Sequence, residues 1–219
     1  MELGKNKAVE GIYSRVLSQI KPSKLEVDAT IANANRIISR LKEIVPHDVE
    51  LVIVGSIARN THLKGDSDID LFMLFDRKID DERIKKLGLE YARKLVNKRK
   101  NETFEIKYAE HPYARLYLND IGMKVDLVPA YKIEDIEDMA TSVDRTPLHA
   151  QFINKHLSER QRDEVRLLKY LLRSHNIYGA EVKTKGFSGY LCELLIHDFG
   201  SLNKLLVSAT DFKLPLYIN

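Results

Sequence analysis

Three carboxylates fall within the most apolar stretches of the chain, where a sheet would bury them. Asp68 and Asp70 open the run DIDLFMLF (68–75), and Asp126 interrupts an otherwise apolar segment from Val125 to Val128. Residues two apart on a strand share a face, so Asp68 and Asp70 point the same way while Ile69 points the other. Adjacent like charges on a sheet are unfavourable unless something positive sits among them, and an unpartnered charge in a buried strand is expensive. A fold of this sequence therefore has to bring these acids to a polar place. The plainer alternative makes Asp68 a strand-start cap and Asp70 a solvated edge residue. The continuation LFMLF and the third acid weigh against it.

Acidic oxygens on neighbouring strands suit a hard divalent cation, for which magnesium is the natural choice. Just upstream, GSIARNTHLKGDSDID (55–70) predicts a strand closed by Gly55-Ser56 and a short helix opened by Ile57-Ala58-Arg59. Backbone N–H groups, the Ser56 hydroxyl and a helix dipole then converge where a phosphate can bind. A magnesium site beside a phosphate cradle points to phosphoryl or nucleotidyl transfer. Two ions would serve it, one activating the attacking hydroxyl and the other stabilising the leaving pyrophosphate.

The surrounding pattern predicts an α+β chain. Residues 9–20 read as a helix, and Ser23 with Glu26 forms a capping box for a second one that carries Ile31, Ala34, Ile37, Ile38, Leu41 and Val45 at helical spacing up to Pro46. ELVIVG (50–55) and DIDLFMLF read as buried strands. Asp80-Asp81-Glu82 start a helix through about residue 99, ended by the basic cluster at 98–100. FEIKYAE (104–110), ARLYLN (114–119) and GMKVDLVP (122–129) alternate as strands, with Asn119-Asp120 as a hairpin turn. Beyond Pro129, helical patterns cover 134–140, 148–157, 159–175, 187–198 and 201–209. The expected organisation is a catalytic domain over 1–140, with a small mixed, antiparallel-rich sheet, followed by an all-helical central domain over 141–219.

Composition narrows the functional classes. With 219 residues, 44% hydrophobic and 31% charged, the chain reads as an ordinary globular protein, and no stretch approaches the roughly 18 apolar residues of a membrane span. The start MELGKNKAVEG lacks the apolar core of a signal peptide, so a cytoplasmic protein is expected. Cys192 is the single cysteine; it excludes an internal disulfide and a cysteine-based zinc site and argues against redox chemistry. Residues 1–150 hold 25 basic and 25 acidic side chains, and residues 151–219 hold 10 and 7, so the whole net charge of +3 sits in the last third.

Within that third, Arg162, Arg166, Lys169 and Arg173 recur at i, i+4, i+7 and i+11, which stacks them on one helix stripe beside Val165, Leu168 and Leu172. Ser158 with Gln161 caps the start. Such a stripe is commonly a solvated face; opposite an acidic metal site it would clamp a polyanion. Tyr190, Cys192, Leu194, Leu195 and Ile196 read as core.

Gly55-Ser56 followed by Asp68-Ile69-Asp70 and a later strand aspartate, Asp126, resembles the signature of the nucleotidyltransferase superfamily of DNA polymerase beta. VDRTPLHAQF (143–152), EVRLLKYLLRSHNIYGAE (164–181) and KGFSGYLCELLI (185–196) narrow the resemblance to the archaeal, class I CCA-adding enzymes, which are tRNA nucleotidyltransferases. The matching blocks span most of residues 50–200.

The resemblance implies template-independent addition of CMP and AMP, from CTP and ATP, to the 3′ end of tRNA. It implies that Asp68, Asp70 and Asp126 are catalytic and hold two magnesium ions. Gly55, Ser56 and Arg59 would contact the nucleotide phosphates, and His149, Lys169 and Tyr178 would grip the triphosphate with Thr146 beside them. A lone histidine such as His149 is more often structural; the RTPLH context reverses that. Arg162, Arg166 and Arg173 would meet the RNA acceptor end. Members of that family are about double this length, so a second chain or further C-terminal domains would anchor tRNA, and the arginine that helps choose the base lies beyond LPLYIN. His62 stands where the resemblance implies a larger aromatic. Transfer to another acceptor, and a non-catalytic nucleotide- or RNA-binding subunit, are the alternative readings.

Overall fold

The apolar runs form one five-stranded mixed sheet: β1 (Glu50–Val54), β2 (Asp68–Phe75), β3 (Glu102–Lys107), β4 (Tyr113–Leu118) and β5 (Met123–Tyr131). The computed structural model describes residues 2–66, 68–96, 101–108, 112–119, 121–180 and 184–213, with side chains from residue 8 onward. The strand order is β1-β2-β5-β4-β3, and only β2 and β5 run parallel. Leu118 pairs with Met123 as the hairpin expected between β4 and β5 requires; Asp120 of its turn lies outside the described residues.

Helices line one face of this sheet. Helix α2 (Lys24–Lys42) starts at the expected capping box: the Glu26 N–H donates to Ser23 Oγ at 3.3 Å, and the Ser23 N–H to Glu26 Oε2 at 2.7 Å. It buries Ala34, Ile37 and Leu41, while Ile31 stays exposed. Helix α4 (Asp81–Leu95) is capped by Asp80 and ends at Leu95, with Val96 as its C-cap, about four residues before the expected end near 99, and has Arg93 and Lys94 in its last turn. Residues 98–100 lie outside the described residues. At Gly88 the helix approaches the sheet so closely that a Cβ would come 2.9 Å from Pro129 Cγ. The α2 and α4 side chains pack on Ile69, Leu71, Met73, Phe75, Leu116 and Leu127. The opposite face holds a smaller cluster of Val54, Phe72, Leu74, Val128 and Ala130, joined by Val143. By strand alternation Asp70 and Asp126 share that opposite face.

The described residues divide into two compact units whose limits differ from a single cut near 140. A sheet unit comprises 23–59 and 65–152, and a helical unit gathers 1–22, 60–64 and 153–219. The reason is apolar packing. Helix α1 (Glu2–Ile20) contributes Tyr13, Val16, Leu17 and Ile20, and the short segment contributes Leu63, to one core with Ile153, Val165, Leu168 and Ile196. That core belongs to α6 (Glu159–Ser174), α7 (Gly189–Phe199) and α8 (Leu202–Ala209), together with the end of α5 (Thr146–His156). Helix α6 begins at the expected Ser158–Gln161 capping box. The expected core residues Cys192, Leu195 and Ile196 are buried, and Tyr190 and Leu194 half-buried. The segment at 134–140 is reduced to a 3-10 turn at Ile136–Asp138.

Candidate active site

Strand β1 passes directly into the four-residue helix α3 (Gly55–Ala58). Gly55 has φ +71, and a Cβ there would lie 1.8 Å from Asp70 Oδ2. Only glycine fits, and the Asp70 carboxylate is thereby packed against the Gly55 backbone. With a single turn, α3 carries the half-buried Ser56, and the helix macrodipole expected from sequence is not developed. Arg59 is buried at the C-terminal end of α3, and its charge acts on Asp70.

The register brings the acids together. Asp70 is the partner of Asp126 on the parallel β2–β5 pair, and Asp126 is in turn the partner of Arg115 on β4. Burial pushes the Asp70 carboxyl up to about 6, and the neighbouring charges of Asp126 and Asp68 add to the rise, against the pull of Arg59 and Arg115. Arg115 Nε and Nη2 donate to Asp126 Oδ1 and Oδ2, each at 2.6 Å. Asp68 is exposed, with Lys124 Nζ 3.9 Å away. Among the described residues no three acidic, histidine or cysteine side chains converge into a cation cluster. The three expected ligands thus share one end of the sheet, but in this arrangement Arg115 engages both oxygens of Asp126. The donor set, hard carboxylate oxygens already attracting a cation, fits magnesium chemically.

On α5, Thr146 and His149 are half-buried and belong to the sheet unit. The fully buried Asp144, two residues before Thr146, accepts from the N–H groups of Tyr131, Ala140 and Thr141 and so fixes the entry to this helix.

In the helical unit the basic stripe departs from its expected setting. Arg162, Arg166 and Lys169 are buried, and only Arg173 is exposed. Arg166 donates to the carbonyls of His62 and Asn60 at 3.0 and 2.7 Å, to Asn60 Oδ1 and to Asp163. Lys169 Nζ donates to the Thr61 carbonyl at 3.0 Å and its hydroxyl at 3.1 Å, with Glu193 Oε1 3.7 Å away. Arg162 reaches Asn154 and Glu159. The segment 60–64 is irregular, its buried carbonyls need donors, and α6 supplies them. The stripe is therefore a structural clamp on that segment as well as a row of charge.

Lys169 nevertheless lies beside a second polar focus. A Cβ on Gly189, the first residue of α7, would come 3.1 Å from the Tyr178 hydroxyl and 3.6 Å from Lys169 Nζ. Tyr178 is bridged to Phe187, and the Arg173 guanidinium stands 5.1 Å over its ring. Lys169, Tyr178 and the first turn of α7 thus come together, with Ser188 as N-cap. Elsewhere in this unit an apolar hollow of about 500 Å³, lined by Leu168, Leu172, Leu195, Leu205 and Phe212 among others, offers no polar group to orient a nucleotide. Burial pushes the Cys192 thiol up to about 12, which leaves it unreactive.

Residues 34–156 match the nucleotidyltransferase domain model, which covers more than half of the chain. The chain belongs to the nucleotidyltransferase family. Residues 163–219 match the model of the tRNA nucleotidyltransferase second domain. The chain is 46% identical over 210 residues to the CCA-adding enzyme of Methanocaldococcus jannaschii, covering 94% of this chain and 46% of that protein. It is 42% identical over 207 residues to that of Sulfurisphaera tokodaii, covering 94% and 48%. The chain thus spans about half the length of the curated relatives it matches. In fold it is similar to the Cid1 poly(U) polymerase solved with magnesium and 3′-dATP, with a TM-score of 0.67 at 20% identity over 87% of this chain and 54% of that one. It is likewise similar to the polymerase core of the TRAMP RNA surveillance complex, with a TM-score of 0.61 at 20% identity over 85% and 53%.

Nucleotidyltransferases generally use divalent metal ions, which agrees with the acidic end of the sheet. Within this nucleotidyltransferase the sequence reading missed Arg115, Thr61, Glu193 and Gly189. Arg115 was accessible to it, because a hairpin closed at Asn119-Asp120 pairs Arg115 with Asp126 by register. Thr61 and Glu193 are brought together only by tertiary packing. Among the described residues no helix is long and apolar enough to cross a membrane.

Proposed function

We infer that this nucleotidyltransferase adds CMP and AMP, from CTP and ATP, to the 3′ end of tRNA, completing or repairing the CCA end. The observation that carries the chemistry is the Asp70–Asp126 register pair, with Asp70 packed against Gly55 next to Ser56. The second-domain match and the archaeal CCA-adding relatives support tRNA as the acceptor.

In this reading the sheet unit is the catalytic domain and the helical unit grips the triphosphate. Asp68, Asp70 and Asp126 would hold the metal, Asp126 being the best candidate for the ion that activates the attacking hydroxyl and Asp68 with Asp70 serving both ions. Two magnesium ions, when bound, supply the charge that lowers the pKa of the RNA 3′-hydroxyl and stabilises the departing pyrophosphate. Ser56, the α3 backbone N–H groups and Arg59 hold phosphate oxygens. Lys169 on α6 and Tyr178, beside the first turn of α7, are the helical unit's candidates for binding the triphosphate, and Thr146 and His149 on α5 are the sheet unit's. Arg173, the exposed member of the stripe, is the best placed of Arg162, Arg166 and Arg173 to meet RNA. The residues orient and neutralise, and no covalent enzyme intermediate is required. A cytoplasmic setting accords with the lone buried thiol, and further chain or a second polypeptide would anchor the body of the tRNA.

Incubation with tRNA lacking its CCA end, labelled CTP, ATP and magnesium tests the reading. Label on the tRNA with release of pyrophosphate is expected. Pyrophosphate release with label on another acceptor would reassign the substrate, and nucleotide binding without release would make the chain a binding subunit.

A further inference from the structure

We propose that Arg115 is a built-in counter-cation for Asp126, which holds that carboxylate while no metal is bound and yields it as a divalent cation enters, so that Arg115 sets how tightly the acidic site takes the cation. The inference rests on the reading of Asp126 as a metal ligand.

The geometry is that of a fork on a carboxylate. Nε and Nη2 of Arg115 each lie 2.6 Å from a different oxygen of Asp126, so both oxygens are engaged at once. Backbone register enforces the meeting, because the two residues are partners across β4 and β5. Of the three acids Asp126 is the most enclosed, at 9% exposure, and its own partner on the other side is a second acid, Asp70. Without a positive charge there, two carboxylates would face each other in a buried sheet.

Arg115 is also able to leave. Its side chain is one-quarter exposed, and among the described residues its guanidinium has no hydrogen-bond partner other than Asp126. Asp68, by contrast, meets Lys124 only at 3.9 Å between two exposed side chains, an association of little strength. A cation approaching the site therefore meets a forked competitor at Asp126, beyond the Arg59 charge that acts on Asp70. A guanidinium on both oxygens withholds them from the metal, and its charge repels the incoming ion until the side chain turns outward.

Manganese binding by the full chain, followed by electron paramagnetic resonance of free Mn²⁺, tests this directly, beside thermal unfolding with and without magnesium. Arg115→Leu should bind Mn²⁺ roughly fivefold tighter than wild type, equivalent to about 1 kcal/mol. It should melt lower than wild type in EDTA and gain more on adding magnesium. Arg115→Lys, which keeps the charge but loses the fork, should fall between the two in both measurements, and it carries the test if the leucine variant does not fold. Unchanged or weaker Mn²⁺ binding in these variants, while Asp126→Asn loses binding, would overturn the role of Arg115 and leave the metal reading standing. Wild-type Mn²⁺ binding by Asp126→Asn would instead remove Asp126 as a ligand.

Discussion

Asp70 faces Asp126 as its register partner across β2 and β5, and it is Asp70 whose carboxyl is pushed up to about 6 by burial and by that neighbour. A carboxyl whose folded-state pKa lies above its unfolded value of about 3.9 favours folding fully below that pH, and the contribution is lost as the pH rises through about 6. In EDTA, Asp70→Asn should therefore be as stable as wild type near pH 4 and more stable near pH 7, by on the order of 1–2 kcal/mol. Urea titrations at the two pH values measure this. A wild type that gains on the variant as pH rises would contradict the repulsion. The same variant, and Asp126→Ala, should lose nucleotide addition while keeping the fold.

Gly55→Ala tests the close approach to Asp70. The added methyl would have to occupy space 1.8 Å from Asp70 Oδ2, at a φ of +71 that disfavours a side chain. A stability loss of about 1–3 kcal/mol is expected from the strained backbone alone. The displaced carboxylate should cut turnover at least as deeply as it cuts stability. Circular dichroism melting and single-turnover addition separate the two effects, and a variant with wild-type turnover would show that the position of Asp70 is not set by this contact.

Lys169 has two roles that kinetics can separate. It is buried beside Glu193 and donates to Thr61, so Lys169→Met removes a cation next to a buried carboxylate and should cost about 3 kcal/mol. Lys169→Met/Glu193→Gln should recover most of that stability. If Lys169 also grips the triphosphate, the double variant should still show a raised KM for CTP and ATP alike. Recovery of both stability and KM would make Lys169 purely structural.

The local features were legible because they are written in short-range chemistry. The Ser23 and Ser158 capping boxes, the bounds of β2 and the β4–β5 hairpin follow from spacing, caps and turns that need no distant partner. The same reading placed Asp68, Asp70 and Asp126 on neighbouring strands, and β2 and β5 are indeed paired. The setting of α6 was not legible, since periodicity tells which residues share a helix face and not what covers it. Segment 60–64 covers it, and the carbonyls of Asn60, Thr61 and His62 turn an apparently solvated stripe inward. The grouping of α1 with the C-terminal helices is likewise a matter of which apolar face meets which, as Ile20 and Leu63 in the helical core illustrate.

That inward turn bears on RNA affinity. The net charge of the chain lies in its last third, yet Arg162, Arg166 and Lys169 there are buried and engaged within the helical unit, while residues 1–150 are balanced. Affinity for RNA grows with each phosphate neutralised, and the slope of log affinity against log salt counts them, at roughly 0.7–0.9 per phosphate. The 219-residue chain should therefore bind nucleotide and magnesium well but hold tRNA weakly, with a slope no steeper than about −3. Arg173→Ala should flatten it by a further unit at most, and Arg166→Met should change stability far more than the slope. Filter binding across a salt series measures all three proteins. A steep slope for the wild type would mean that exposed cations elsewhere on the chain, and not α6, form an RNA surface.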